Sequence, residues 1–528
     1  MQYRTRVTEI IAAVCRLLVL AVTGAVLLIA CTPQAYGPGA FNPTPTSLVL
    51  ISPIIGNETA PRDPAYEPAR LTIDEESVLG WLNPPSNLLR FPVELSEGAF
   101  LSLRVGADAE EFEEGDLTAS ISFRQWNEAG DNFGDAREIG GMDIQHDVWT
   151  SINVNLSIAG DVKGEIQFQL SGAKASDRSI NMLWGQPSVY YPTERTYKNV
   201  ILIGIDTLRR DGLSIYGGRS DISPNIDLLS RSATVFTRAW SQAPWTVPSF
   251  ESMITGVYPA DVAPTLSTEQ LPESATTLAE ILLPEGFATG MVCENAYLGN
   301  EQSGFQQGME MLWFRNDAEP GDAVVKACEF IEHAEDRDFF LFLHIMDPHG
   351  PYDPPQRLTR ALCNPDYSGR YETSFTDGLE WQLADTIPPQ SDIDRVRCLY
   401  DAEVNAVDSA IADLYTYLQA RDLLDNTLII LAADHGEEFY EHGEFEHGQS
   451  LHEEQVHLPL IVWGDAFADG EHIDTPVANL DIAPTILEYL GQPVPGSFRG
   501  ISLQDTINGN APIDRVIMGE GNLRRSSH

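Results

Sequence analysis

Two apolar runs far apart in the chain each end on side chains able to hold a cation. Asp206 directly follows Val200-Ile-Leu-Ile-Gly-Ile205, and the pair Asp434-His435 directly follows Leu428-Ile-Ile-Leu-Ala-Ala433. Carboxylate and imidazole together suit a divalent ion such as zinc, manganese or calcium. One Asp after a strand is ordinarily a cap or a turn, so the weight lies in three such groups arriving at one sheet edge. Between them in sequence comes Ala243-Pro-Trp-Thr-Val-Pro-Ser-Phe-Glu-Ser-Met-Ile-Thr-Gly256. Pro248 near a first turn predicts Thr246 as the N-cap of a short helix. A hydroxyl there faces unpaired backbone N–H groups, where an oxyanion is stabilised. An ion bound to that oxygen would lower its pKa and make it a usable nucleophile.

These residues need a scaffold, and the second half of the chain reads as one. Val200 to Ile205, Phe339-Phe-Leu-Phe-Leu, Thr427 to Ala433 and Leu458-Pro-Leu-Ile-Val-Trp are continuous apolar runs, expected for strands buried on both faces of a parallel sheet. Helical spacing of apolar residues over Asp322 to Ala334 and Val396 to Leu418 alternates with them. The expectation for residues 198–528 is a large, doubly wound α/β domain, with ligands gathering beyond the carboxyl ends of its strands. Residues 70–195 differ. Phe100-Leu-Ser-Leu-Arg-Val, Leu117-Thr-Ala-Ser-Ile-Ser-Phe and Ile166-Gln-Phe-Gln-Leu alternate apolar and polar residues, as half-buried antiparallel strands do. A small all-β sandwich is expected there, either glycan-binding or purely architectural.

The amino terminus reads as an address. Arg4, Arg6 and Arg16 precede an apolar run from Leu17 to Ala30, long enough for a secretory signal but short for a spanning helix. Leu28-Ile-Ala-Cys31 resembles a bacterial lipobox, which implies cleavage before Cys31 and a diacylglycerol anchor on it. The expectation is therefore a signal peptide over 1–30 and an exported lipoprotein, with the outer membrane or cell surface favoured over the periplasmic side of another membrane. Prolines crowd residues 31–69, as in an extended tether. Of the four cysteines beyond Cys15 in the signal and Cys31, Cys363 and Cys398 are placed to staple the loop-like stretch between them.

Charge limits the partners. The 528 residues carry 78 Asp and Glu against 32 Lys and Arg, a net charge of −46, which disfavours bare nucleic acid, because phosphate binding needs clustered Lys and Arg.

From about residue 198 onward the motifs resemble the sulfatase branch of the alkaline phosphatase superfamily. They are Val200-Ile-Leu-Ile-Gly-Ile-Asp206-Thr-Leu-Arg, Ser223-Pro-Asn-Ile-Asp227, Pro244-Trp-Thr246-Val-Pro-Ser, Met346-Asp-Pro-His349-Gly-Pro-Tyr352, Asp434-His435-Gly-Glu437, Glu446-His447-Gly448 and Asp481-Ile-Ala-Pro-Thr-Ile-Leu487, in the family's order. The resemblance implies a metal held by Asp206, Thr246, Asp434 and His435, with His349 and His447 toward the substrate. On that scheme Thr246 is the nucleophile, and His447 steadies the ester oxygens or protonates the leaving group.

One departure bears on the chemistry. Sulfatases of the usual kind carry Cys or Ser, then x-Pro-Ser-Arg, and convert the first residue to formylglycine. This chain has Thr246-Val-Pro-Ser-Phe250, and the extra methyl on the threonine Cβ precludes an aldehyde, so no formylglycine is expected. No lysine follows Lys326, so the family's usual active-site lysine has no candidate in the later part. The reading is a metal-dependent hydrolase of an anionic sulfate or phosphate ester, glycan- or lipid-linked. The alternatives are a phosphotransferase resembling the phosphoethanolamine transferases and a non-catalytic glycan-binding lipoprotein. Among the other histidines, His344 is expected as a packed strand residue and His442 and His452 as solvated. Glu437 and Glu438 are expected to begin a helix or loop. Arg515-Val-Ile-Met518 is the one possible strand near the end.

Overall fold

A computed structural model of the chain describes residues 46–47, 54–55 and 68–521, apart from short internal stretches, the longest being 109–114, 127–132, 191–197, 263–269 and 382–386. The signal region, Cys31 and most of the expected tether lie outside the described residues. Within that tether, Thr46–Ser47 pairs antiparallel with Asn181–Tyr190, and Ile54–Ile55 pairs with Leu88–Leu95.

The α/β expectation holds. Asn199–Ile205 lies between Phe339–Ile345 and Thr427–Ala433, parallel to both, and Ala288–Cys293 continues the parallel set beyond Phe339–Ile345. Every residue of these four strands is buried. Ile201, Ile203 and Ile205 point into one core with Val396, Leu399 and Leu414 of the Gln390–Ala420 helix. Val200 and Leu202 point into a second core with Phe250, Met253 and Ile486. Two cores on opposite faces explain why the strand sequence is apolar throughout.

One strand runs against expectation. His457–Trp463 is antiparallel to Thr427–Ala433 and to Thr234–Trp240. Burial on both faces produces an apolar run whichever way a strand points, so the run carried no information on direction. The carboxyl-terminal strand expected at Arg515 to Met518 is also absent: these residues have no regular structure, Val516 and Met518 are exposed, and Arg515 instead donates to both oxygens of buried Asp481.

The amino-terminal residues form the expected antiparallel sandwich, but its two sheets differ in extent. One has five strands, with Leu88–Leu95, Val162–Ser171, Thr118–Gln125 and Arg137–Asp143 in that spatial order. The other is not a separate sheet. Glu76–Leu82 pairs antiparallel with Met311–Phe314, at the end of the parallel set, so a single sheet of fifteen strands runs from the α/β core into the sandwich. Phe91, Phe168 and Trp184 fill the space between the sandwich layers, with ring centroids 5.2 and 5.1 Å apart.

Candidate active site

Asp206, Asp434 and His435 follow the carboxyl ends of two adjacent strands, and one donor atom from each lies within 4.8 Å of the others. All three are fully buried. His435 Nε2 is 3.5 Å from Asp206 Oδ1 and 3.2 Å from Asp434 Oδ2. Asp434 Oδ1 accepts from the backbone N–H groups of Thr207 and His435, at 3.2 and 2.7 Å. Asp206 Oδ2 accepts from Asn295 Nδ2 at 2.9 Å. Asp206 Oδ1 and Asp434 Oδ2 are left buried with no hydrogen-bond partner.

This donor set fits a divalent cation. Two orphaned carboxylate oxygens in a dry site are costly unless a positive charge meets them. Burial, then the neighbouring Asp206, pushes the Asp434 carboxyl well above the ordinary carboxylate range. His435 Nδ1 donates to the Gly436 carbonyl at 3.0 Å, which sets the tautomer and turns the Nε2 lone pair toward the two free oxygens. Burial also drives His435 well below the usual imidazole range, toward the neutral form that ligates metals.

Thr246 is the first residue of the Thr246–Thr255 helix, not its cap. Trp245, with extended backbone, takes the N-cap position and makes no side-chain cap bond. The Thr246 hydroxyl therefore does not close the helix end, and Oγ1 lies 3.4 Å from His435 Nε2. Pro248 fits the first turn because the N–H it lacks would have no partner there. Ser249 Oγ donates to the Asp434 carbonyl at 2.6 Å, which ties this helix directly to the Thr427–Ala433 strand end. Phe250, where the resemblance expects arginine, is fully buried with its ring 5.4 Å from Phe342 and 5.2 Å from His344.

His447 and His349 come to the same place. The His447 ring lies 4.3 Å from that of His435 and 5.1 Å from that of His349, centroid to centroid. His447 Nδ1 is 3.1 Å from Glu437 Oε1, and Glu437 Oε2 accepts from the Tyr352 hydroxyl at 3.0 Å. Burial alone would lower the His447 pKa, but the Glu437 carboxylate foremost, with Asp206 and Glu446, offsets it and the imidazole is held above its usual range. His344 is a fully buried strand residue as expected, yet its Nε2 also stands 3.4 Å from Asp206 Oδ2. His442 and His452 are exposed and stack on each other at 3.6 Å.

Three contributors escaped the sequence reading. Asn295 stands just beyond the end of the Ala288–Cys293 strand, so the strand-end position that marked Asp206 was its signal too. Glu437 lies in a loop, as expected, and Glu438 begins the short strand Glu438–Phe439 rather than a helix or loop, but Glu437 is 1% exposed and orients His447. Tyr352 closes the motif that supplied His349, and its hydroxyl holds Glu437.

The family model described as sulfatase matches residues 198–492, more than half of the chain. The chain belongs to the sulfatase family. It is 24% identical over 354 residues to arylsulfatase K of Canis lupus familiaris, covering 58% of this chain and 65% of that protein. It is 24% identical over 359 residues to an ulvan-active sulfatase of Formosa agariphila, covering 60% of this chain and 66% of that one. The chain thus spans slightly under two thirds of these relatives. Among solved structures it is similar to a phosphonate monoester hydrolase from Silicibacter pomeroyi, with a TM-score of 0.49, 20% identity, and coverage of 60% of this chain and 78% of that one.

Proposed function

We propose that the chain is a divalent-metal-dependent hydrolase of sulfate or phosphate esters, with Thr246 as an unmodified nucleophile. The observation that carries this reading is the placement of the Thr246 hydroxyl, at a helix amino terminus and 3.4 Å from His435 Nε2, beside the orphaned oxygens of Asp206 and Asp434. Membership of the sulfatase family and the two sulfatase relatives favour a sulfate ester as substrate.

Asp206, Asp434, His435 and Thr246 would hold the ion. When bound, it would lower the pKa of the threonine hydroxyl and neutralise charge on the ester oxygens. Thr246 Oγ1, its proton lost to solvent, attacks sulfur or phosphorus in line, and the bond to the ester oxygen breaks. His447, charged through its pairing with Glu437, gives its Nε2 proton to the departing oxygen. His349 holds a non-bridging oxygen. In the second step His447 takes a proton from water, whose oxygen attacks sulfur or phosphorus and releases Thr246. The backbone N–H groups at the start of the Thr246 helix face the developing negative charge in both steps.

Formylglycine has no part in this scheme, because the Thr246 Cβ already bears a methyl group. The test is Thr246→Ala, assayed on aryl sulfates, phosphodiesters and phosphomonoesters with ion content measured in parallel. Turnover should fall at least ~1000-fold on the reactive ester, and a chelator should abolish it in the wild type. Undiminished turnover in Thr246→Ala rules out the nucleophile assignment.

A further inference from the structure

His349 sits on a loop, residues 346–353, in which Tyr352 is paired through its backbone with Phe375 and through its hydroxyl with Glu437, while the bonds of His349 itself are local. The His349 N–H donates to the Met346 carbonyl at 2.9 Å and Nδ1 donates to the Gly350 carbonyl. Neither bond fixes the loop relative to the sheet. Besides the Tyr352 anchors, two carboxyls from outside the loop tie its backbone down, one at either end. Glu294, just beyond the Ala288–Cys293 strand, accepts from the Met346 N–H through Oε2 at 2.8 Å. Glu403, within the Gln390–Ala420 helix, accepts from the Asp353 N–H through Oε1 at 2.6 Å. Glu294 is 0% exposed and Glu403 3% exposed, and the second oxygen of each has no partner.

We propose that Glu294 and Glu403 form a two-point strap that holds the 346–353 loop to the scaffold and thereby keeps the His349 ring against His447. They are positioning residues, because they touch the loop backbone and not the site. A second ion site does not explain them: among the described residues, only Asp206, Asp434 and His435 converge closely enough to share an ion.

The strap does not depend on charged carboxyls. Burial foremost pushes both Glu294 and Glu403 well above the ordinary carboxylate range, and Asp347 on the loop adds to the rise in each. Around Glu294, Asp322 opposes ionisation and Arg315 favours it weakly, while Asp353 opposes ionisation of Glu403. A neutral acid still accepts an N–H through its carbonyl oxygen, so glutamine at either position should do the same work. Alanine should not.

The catalytic consequence rests on the role given above to His349, so the experiment separates placement from turnover. Crystal structures and kcat are compared for Glu294→Ala, Glu403→Ala, the two Gln variants, and Glu403→Ala combined with His349→Ala, with bound ion measured in each. The Ala variants should displace the His349 ring by roughly 1 Å or more from its 5.1 Å packing on His447 and lower kcat roughly 10- to 100-fold, with ion content unchanged. The Gln variants should restore ring position and bring kcat to within about threefold of wild type, and they carry the test if the Ala variants fail to fold. With His349 already removed, Glu403→Ala should lower kcat no further. An unmoved His349 in the Ala variants, an undiminished effect of Glu403→Ala without His349, or Gln variants as impaired as Ala ones would each overturn the strap. If the wild type turns over no ester and the loop still shifts in the Ala variants, the strap stands and the functional reading falls.

Discussion

Glu251 lies one and a half turns into the helix that begins at Thr246, 2% exposed, with Oε1 unpaired. Burial pushes its carboxyl up to about 8, from an ordinary 4.5. The folded protein therefore keeps a proton that the unfolded chain loses, so Glu251 favours folding fully below pH about 4.5 and progressively less as pH rises through 8. With these two values, linkage gives a loss of about 2.5 kcal/mol between pH 5 and 7 and about 1.4 kcal/mol more by pH 9. Glu251→Gln has nearly the same shape and no proton to lose. For a chain of this size, 1 kcal/mol is worth roughly 1 °C in Tm, at about 2.1 cal/mol/K per residue. Differential scanning calorimetry of both proteins at pH 5, 7 and 9 should show the wild type falling behind the variant by about 2–3 °C from the first to the second pH, then by a further 1–2 °C. Tm curves that stay parallel across that range would refute the reasoning, because they would mean that Glu251 ionises alike in both states.

The Cys363–Cys398 disulfide closes a loop of sequence separation 35, which in a chain-entropy account stabilises by about 4 kcal/mol. The Cys363→Ser, Cys398→Ser double variant should therefore melt about 4 °C lower, and limited proteolysis should cut first between these positions; an unchanged Tm would count against the staple. A Cβ at Gly204 would lie 2.4 Å from Phe250 Cε1 and 2.9 Å from Cζ. Gly204→Ala should cost ~1–3 kcal/mol by overpacking and lower turnover by pushing on the Thr246 helix, and a smaller ring-site residue in Gly204→Ala/Phe250→Leu should recover part of both. Additive losses in that double variant would show that the contact is not the cause.

The buried parallel strands were legible because five or six residues in a row with no polar side chain admit few other readings. Thr427–Ala433 falls at the expected positions, and Asn199–Ile205 and Phe339–Ile345 differ by a residue or two at their ends. Strand direction was not legible, since His457–Trp463 has the same composition whichever way it runs. The join between sandwich and α/β core was hidden for a different reason. Met311–Phe314 has four residues, too few for a periodicity, and its partner Glu76–Leu82 lies more than 200 residues earlier. At the site, Asp206, Thr246, Asp434 and His435 were recoverable because each stands at an element end. Glu294, Glu403 and Glu437 were not, because in so acidic a chain a glutamate looks solvated until its burial is known.

The departures from the usual sulfatase pattern form a single physical unit. Thr246 and Phe250 are four residues apart on one helix and so lie on the same face. The Phe250 ring packs over Gly204, two residues before Asp206, and edge-on against His344, whose Nε2 is 3.4 Å from the Asp206 carboxylate. Where the pattern expects a guanidinium, the scaffold thus presents an apolar ring and an imidazole, and Asp206 is steadied by the Asn295 amide. No lysine makes good the missing charge. Lys163, Lys174 and Lys326 pair with Glu94, Asp116 and Glu329, and Lys198 precedes the strand whose opposite end carries Asp206. On the proposed reading, positive charge beside the orphaned oxygens comes from the bound ion and from His447, with the His349 ring packed 5.1 Å from the His447 ring. That makes the placement of these two rings, one by Glu437 and the other by the loop it shares with Tyr352, the feature on which an ester's oxygens would depend.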